Sequence, residues 1–329
     1  MLNPLLAQAL NVELPLGDAA DTGVRWVIDT FDWLFSAIRF IVGGIVDYTE
    51  LALITPSPLI MTAVFAGIAL VATRSWGLPV FTIVAFLLVD AMGMFAFAMQ
   101  TLALVFVATV LAVIIGVPLG ILAARNERVS TTIKPILDFM QTMPSFVYLL
   151  LAVFFFRIGR VPGVMSALIF AMPPAVRLTE LGIRQVDAEV VEAAHAFGAR
   201  PREVLTGVQL PLARASILAG INQVIMLSLS MVVIAGLGGA PGLGAEVVRA
   251  VTRMDIGMGI EGGLGVVALA IYLDRVTAAF GREGRGRRKE GPASTDEQSL
   301  SDDDADDDTP AEGGGDTSTT ATTTSGATS

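Results

Sequence analysis

Between Leu59 and Phe280 the chain is built from long apolar runs, and this constrains its fold more than any other feature. A helix crossing the hydrocarbon core of a bilayer needs about 20 apolar residues, with a range of roughly 17–25. Runs of this kind stand at Leu59–Ser75, Leu78–Phe97, Thr101–Ala124, Gln141–Ile158, Val161–Thr179, Ala213–Leu237 and Gly259–Phe280. In lipid every backbone polar group must be satisfied within the spanning element, which leaves helices or closed barrels. The expected fold class is therefore an all-α membrane protein, a polytopic bundle of about seven transmembrane helices. The second and third runs are nearly continuous and too long for one helix; Gly93 to Gln100 is the expected break. Composition agrees: 53% of residues are hydrophobic and 16% charged, with a mean hydropathy of +0.69, a membrane-protein profile.

Residues 1–58 are expected to form an extracytoplasmic N-terminal region. Met1–Leu16 has no positively charged start and is interrupted by Glu13 and Pro15, unlike a cleaved signal peptide. Across Val24–Val46 the polar residues Arg25, Asp29, Asp32, Ser36, Arg39 and Gly43 recur every three or four positions. That is the helical period. Its charges make spanning costly, so the segment reads as an amphipathic helix lying in the membrane interface; a helix packed on the rest of the bundle has the same pattern.

The transmembrane domain is expected over 59–281. Seven spans place the termini on opposite sides, and Arg and Lys decide which is inside. With the N-terminus outside and the C-terminus cytoplasmic, fourteen of these residues fall inside and six outside, Arg275 lying within the last span. This orientation places the polar interval 180–212 in the cytoplasm. Residues 282–329 form a tail, first basic at Arg285–Lys289 and then acidic. Asp296–Ser329 carries ten acidic residues and no Lys or Arg, while residues 1–295 balance at 21 acidic and 21 basic. Glu290–Ser329 has almost nothing to bury and is expected to be disordered. The basic cluster suits anionic headgroups.

The chain has no cysteine and a single histidine, His195. Disulfides and thiolate metal sites are thereby excluded, and a His-based metal cage or a Ser-His-Asp triad could use only His195, which has no obvious partner. No G-x-x-x-x-G-K-[ST] phosphate loop occurs; Gly236–Gly244 is glycine-rich but lacks the lysine. The chain is therefore not expected to be an enzyme or to bind a cofactor. Its basic residues read as flanks of spans rather than a nucleic-acid surface. Charges inside the spans are functional candidates by default: Asp90 and Asp274 could attract a cation or relay protons. Tyr148 and Phe154–Phe156 could hold an organic cation by cation–π attraction. Tyr148 and Asp90 are the candidates for a translocation pathway, although packed aromatics and a lone snorkelling acid fit the same residues.

Within the polar interval, Asp187 can cap a helix whose first turns carry Glu189 and Glu192. Val190, Ala194 and Phe197 line one face at i, i+4 and i+7. Gly198 suits the position past a helix end, and Pro201 the first residue of the next helix. A short helix, a sharp turn and a second helix entering the membrane after Pro211 follow. The small residues leave a low-relief surface on which another protein could dock; a helix lying on its own bundle is the alternative.

Glu192-Ala193-Ala194, Gly198 and Leu210-Pro211 match the signature E-A-A-x3-G-x9-I-x-L-P, with Val208 in place of the isoleucine. On these residues the chain resembles ABC importer permeases. Ile136–Leu149, Val161-Pro162-Gly163-Val164, Phe170–Pro174, Ala219–Gln223 and Leu229–Ala235 resemble the glycine betaine/proline betaine branch, covering roughly Thr101 to Gly281. The resemblance implies the type I importer fold, with Glu192, Ala193, Ala194, Phe197, Gly198, Leu210 and Pro211 coupling the chain to an ABC ATPase subunit. It further implies ATP and magnesium bound by that partner, an extracytoplasmic substrate-binding protein, a second copy of the permease, and residence in the plasma membrane. The substrate implied is glycine betaine or a related osmoprotectant, with choline or carnitine as alternatives. An ion-coupled carrier using Asp90 or Asp274 leaves the coupling signature unexplained, as does a non-transporting scaffold.

Overall fold

A computed structural model describes residues Leu16–Arg282, which fold into helices joined by short connections, with no strand among the described residues. The expectations for Met1–Pro15 and for the basic and acidic tail lie outside the described residues. Two N-terminal helices, α1 (Leu16–Thr30) and α2 (Asp32–Ile54), are separated at Phe31. Then follow α3 (Pro58–Thr73), α4 (Gly77–Ala91), α5 (Phe95–Arg125), α6 (Glu127–Thr142), α7 (Ser145–Phe156), α8 (Arg160–Arg184), α9 (Ala188–Ala196), α10 (Pro201–Val204), α11 (Leu210–Ala235), α12 (Leu243–Arg253) and α13 (Ile256–Arg282).

Among the described residues, four segments are long and apolar enough to cross a membrane, and up to six if two bent helix pairs count as one span each. The four are α5, α8, α13 and the unit Pro201–Gly238 that contains α11. One bent pair is α2 with α3, at 101°. If α3 crosses the bilayer, α2 then runs roughly along its surface. It is also clasped to the bundle. Val42 and Val46 are buried against α5 and α8, Phe35 stacks on Phe155 with ring centroids 5.1 Å apart, and Arg160 pairs with Asp47 at 2.5 Å and Glu50 at 3.2 Å. The segment Val24–Val46 is thus two helices broken at Phe31, the second of them packed on the bundle.

The second bent pair is α6 with α7, at 99°. The apolar run Gln141–Ile158 lies across this bend, so only the 12 residues of α7 continue in the new direction. Pro144 explains the corner. It has no N–H to extend α6, and its ring forces Met143 into extended backbone, φ −71° and ψ 136°. Tyr148 braces the corner by donating its hydroxyl to the Met140 carbonyl. The other expected break, between α4 and α5, falls at Met92–Met94, where Gly93 adopts φ +70°.

At the centre α8 lies between α5 and α11. The contacts are close because small residues face one another: a Cβ on Gly120 would lie 2.6 Å from the Val176 carbonyl oxygen, and one on Gly182 would lie 2.7 Å from Ser216 Cβ. Such approach is how helices gain dispersion contact where lipid offers no hydrophobic driving force. A second apolar cluster joins α3, α4, the start of α5 and α13 around Phe65, Phe86 and Tyr272. The Tyr272 hydroxyl donates to the Phe65 carbonyl across the two helices.

Candidate functional site

The polar interval emerges from α8 and returns to the bundle through α11. Asp187 caps α9 by accepting from the Glu189 N–H at 2.9 Å. The helix ends at Phe197, and Gly198 takes φ +83°, a left-handed turn that suits glycine. Pro201 opens α10, and the Glu203 carboxylate reaches back to the Arg200 N–H at 2.7 Å. Before Pro211 the helix widens into one π turn, Leu205–Gln209, in which the Leu210 N–H bonds to the Leu205 carbonyl. Pro211 has no N–H for the Gly207 carbonyl and its ring crowds that group, so the wide turn accommodates it.

The interval is anchored from beneath. Leu205 is buried against Ile183 and Ala213, with Ile121, Ala124, Leu210 and Ile217 around them. By contrast, α9 has no buried residue. Glu192 and Ala193 are exposed and Ala194 is half-buried; Val190 is exposed too, and Phe197 is 93% exposed. A Phe left this accessible forms part of a surface rather than a core. His195 is exposed on the same helix. A cavity of about 460 Å³ at the start of α10 is lined by Arg125, Arg200, Pro201, Arg202 and Glu203.

A polar clamp ties α6 to α8. Glu180 is buried, accepting from Ser130 Oγ at 2.7 Å and pairing with Arg184 Nε at 2.9 Å and, more distantly, with Lys134 Nζ at 3.8 Å. Arg184 also pairs with Glu127 at 2.8 Å and donates to the Ala123 carbonyl at 3.0 Å. Arg177 pairs with Asp138 in the same row. The sequence places Asp138 and Glu180 near span ends without the partners Arg177 and Ser130, which lie 39 and 50 residues away.

The two pathway candidates do not come together. Tyr148 is buried in the cluster of α5, α7, α8 and α11, beside Phe170 at a ring-centroid distance of 6.0 Å. Asp90 sits half-buried in the last turn of α4, beside the other cluster, and its side chain has no hydrogen-bond or ion-pair partner among the described residues. Asp274 accepts from Asn222 Nδ2 at 3.2 Å, and Thr277 Oγ1 donates to the Asn222 side-chain oxygen Oδ1. Glu246, which sequence reasoning passed over, is 1% exposed and pairs with Arg249 at 2.7 Å within α12. Its i,i+3 spacing from Arg249 and the flanking apolar Leu243 and Ala250 are the signal that could have found it. The glycine-rich stretch is a packing device: the chain reverses there, and a Cβ on Gly244 would lie 2.3 Å from the Val233 carbonyl oxygen.

Comparison with known proteins agrees with this architecture. Residues 116–283 match the family described as binding-protein-dependent transport system inner membrane component. The chain is 51% identical over 269 residues to the glycine betaine transport system permease protein OpuAB of Bacillus subtilis, covering 80% of this chain and 93% of that one. It is 46% identical to the glycine betaine/proline betaine permease ProW of Escherichia coli, covering 83% and 77%, and 49% identical to the glycine betaine/carnitine permease GbuB of Listeria monocytogenes, covering 78% and 92%. Among solved structures, inward-facing MetNI methionine ABC transporter has a TM-score of 0.53 at 21% identity, covering 56% of this chain and 92% of that one. The chain belongs to the family of binding-protein-dependent transport system inner membrane components. It is thus a multi-pass membrane transport subunit with the type I importer permease fold.

Proposed function

We propose that this chain is the membrane-spanning subunit of an ATP-driven importer for glycine betaine or a closely related quaternary-ammonium solute. The observation that carries the reading is α9, a helix with no buried residue and a Phe197 that is 93% exposed, following α8 directly and joined to α11 through α10 and the π turn. An exposed apolar end on a rigid stem suits insertion into a partner's groove. The transport names of the relatives support the solute class.

In this reading the N-terminus lies outside and the C-terminus in the cytoplasm, with α9 facing an ABC ATPase subunit that binds ATP and magnesium. The greater number of Arg and Lys on that side supports the orientation. An extracytoplasmic binding protein delivers the solute to the other face, and a second copy of the chain supplies the second docking helix. When the ATPase subunits close, α9 is displaced. Because α8 and α11 pack closely at Gly182, they move with it, and the Glu180 clamp carries α6 and α7 along. The path between the copies then opens to the opposite side.

Reconstitution tests the proposal. The chain is placed in liposomes with its ATPase and binding protein, and uptake of radiolabelled glycine betaine is measured with ATP enclosed. Uptake that needs ATP, and that Gly198→Pro removes, is expected. Uptake that persists without the ATPase and vanishes when ion gradients are collapsed would instead favour an ion-coupled carrier.

A further inference from the structure

The spans do not present the same chemistry at their surfaces. At mid-span, the side chains that α5 and α13 expose are large and apolar, as at Phe106, Val110 and Ile114 on the first and Leu264, Val267 and Ile271 on the second. Lipid tails accept such side chains. The exposed positions Ala215, Ala219, Gln223 and Ser230 of α11 are small or polar instead. Their spacing keeps them on one face of the helix, and the half-buried Met226 stands in the same row between Gln223 and Ser230.

Gln223 lies at the middle of α11. Its side chain is exposed and makes no hydrogen bond to any described residue. Its neighbours differ. Asn222 is joined through its side chain to Asp274 and Thr277 on α13, and Ser230 turns its hydroxyl back to the Met226 carbonyl at 3.0 Å. A carboxamide has two N–H donors and an oxygen acceptor, and hydrocarbon satisfies none of them. Polar side chains within spans therefore turn to the bundle interior or to a water-filled cavity. Gln223 points away from its own bundle, which leaves water.

We propose that this face of α11 lines the aqueous path of the solute, and that the Gln223 carboxamide donates to the solute's carboxylate at mid-membrane. The inference rests on the betaine class of solute proposed above. A betaine carries a carboxylate and a quaternary ammonium. The ammonium has no N–H to donate and is surrounded by methyl groups, which suit the polarisable thioether of Met226. The carboxylate needs a donor, and a neutral amide holds it less tightly than a guanidinium does. A site on a path must release what it binds. The contact is also carried by the helix that joins α9 through α10 and the π turn, so movement of the docking surface reaches it.

The chain contains no cysteine, so single cysteines can be introduced without background. The full-length chain with its ATPase is placed in lipid nanodiscs, and the probe is trimethylammonioethyl methanethiosulfonate, which reacts with thiolates in water. Gln223→Cys and Ser230→Cys should react roughly tenfold or more faster than Ile114→Cys and Val267→Cys, because apolar surroundings suppress the thiolate. This arm reads water access whatever the solute is. Reaction of Gln223→Cys no faster than Ile114→Cys would overturn the path. So would a spontaneous disulfide between copies at Gln223→Cys that excludes the reagent, because a second copy would then seal the face. Uptake of glycine betaine into proteoliposomes reads the contact. Gln223→Leu should lower the maximal rate roughly tenfold, the size of one hydrogen bond to a charged group, with thermal unfolding unchanged. Gln223→Asn keeps the carboxamide and should retain much of the rate. Parent-like uptake by Gln223→Leu would overturn the contact. A parent chain that carries no betaine would overturn the solute class, and with it the carboxylate contact, while the labelling contrast would still decide whether the face is wet.

Discussion

Ser130 Oγ donates a 2.7 Å hydrogen bond to Glu180 Oε1, joining α6 to α8 across fifty residues of sequence. Glu180 is buried, whereas the basic residues that flank it, Arg184 and Lys134, are 37% and 56% exposed at their side chains. Solvent therefore screens the ion pairs, and the buried hydrogen bond is the part most costly to break. Glu180→Leu should lower unfolding stability by about 1–3 kcal/mol, and Ser130→Ala by about 1 kcal/mol. The two should be less than additive, because each removes the same bond. Thermal unfolding of the purified variants in detergent measures this; full additivity would mean that the pair is not coupled.

The turn after α9 offers a cleaner test, because backbone conformation can be separated from space. Gly198 has φ +83° and nothing within 4 Å of the position a Cβ would take. Any effect of substitution there is conformational rather than steric crowding with neighbours. A non-glycine residue in the left-handed region costs roughly 1–2 kcal/mol, and asparagine tolerates the region better than most. Gly198→Asn should retain most uptake and ATPase association, while Gly198→Val should lose both. Equal behaviour of the two variants would show that the turn is not the determinant.

This turn was legible in the sequence because its signals are local. Asp187, Gly198 and Pro201 each act within a few residues, so the limits of α9 could be read from composition and spacing. The apolar runs were legible for a similar reason, since each helix in the bilayer must satisfy its own backbone. The corner at Met143–Pro144 was hidden because proline inside an apolar run marks a kink, a break or a packed helix equally well. The α6–α8 clamp was hidden for a different reason. Arg177, Arg184 and Glu180 share one helix at spacings that look like ordinary span flanks, and their partners on α6 come near only through tertiary packing. Tyr148 looked like a cation ligand because its ring is aromatic; what the sequence lacks is the neighbouring Met140 carbonyl that takes its hydroxyl and the core that covers it.

Close approach of α8 to α11 makes a third expectation. A Cβ at Gly182 would lie 2.7 Å from Ser216 Cβ and 3.3 Å from the Ala213 carbonyl oxygen. Gly182→Leu should force the helices apart, at a cost of about 1–3 kcal/mol or more. Gly182→Ala should be milder, and Ser216→Gly should restore much of what it loses by removing the facing Cβ. Detergent-solubilised protein, followed by size-exclusion profile and thermal unfolding, reports the outcome. Failure of Ser216→Gly to rescue Gly182→Ala would place the strain at Ala213 instead.

Phe197 separates folding from association. Its side chain is 93% exposed, so it contributes little to the core, and surface substitutions of this kind usually shift stability by less than about 0.5 kcal/mol. An aromatic anchor seated in a partner's pocket, on the other hand, commonly accounts for about 2 kcal/mol or more of binding. Phe197→Asp should therefore leave thermal unfolding of the isolated chain nearly unchanged, yet weaken co-purification of the ATPase by roughly thirtyfold or more. Val190→Asp, on the same face and also exposed, should act in the same direction by a smaller amount. Arg128→Gln, at an exposed position in the first turn of α6, should alter neither quantity. If Phe197→Asp destabilised the chain alone, the ring would be packing against its own bundle, and α9 would lose its claim as the docking helix; if it changed neither quantity, the ATPase would have to grip another part of the surface, with the arginine-lined cavity at Arg125, Arg200 and Arg202 the next place to mutate.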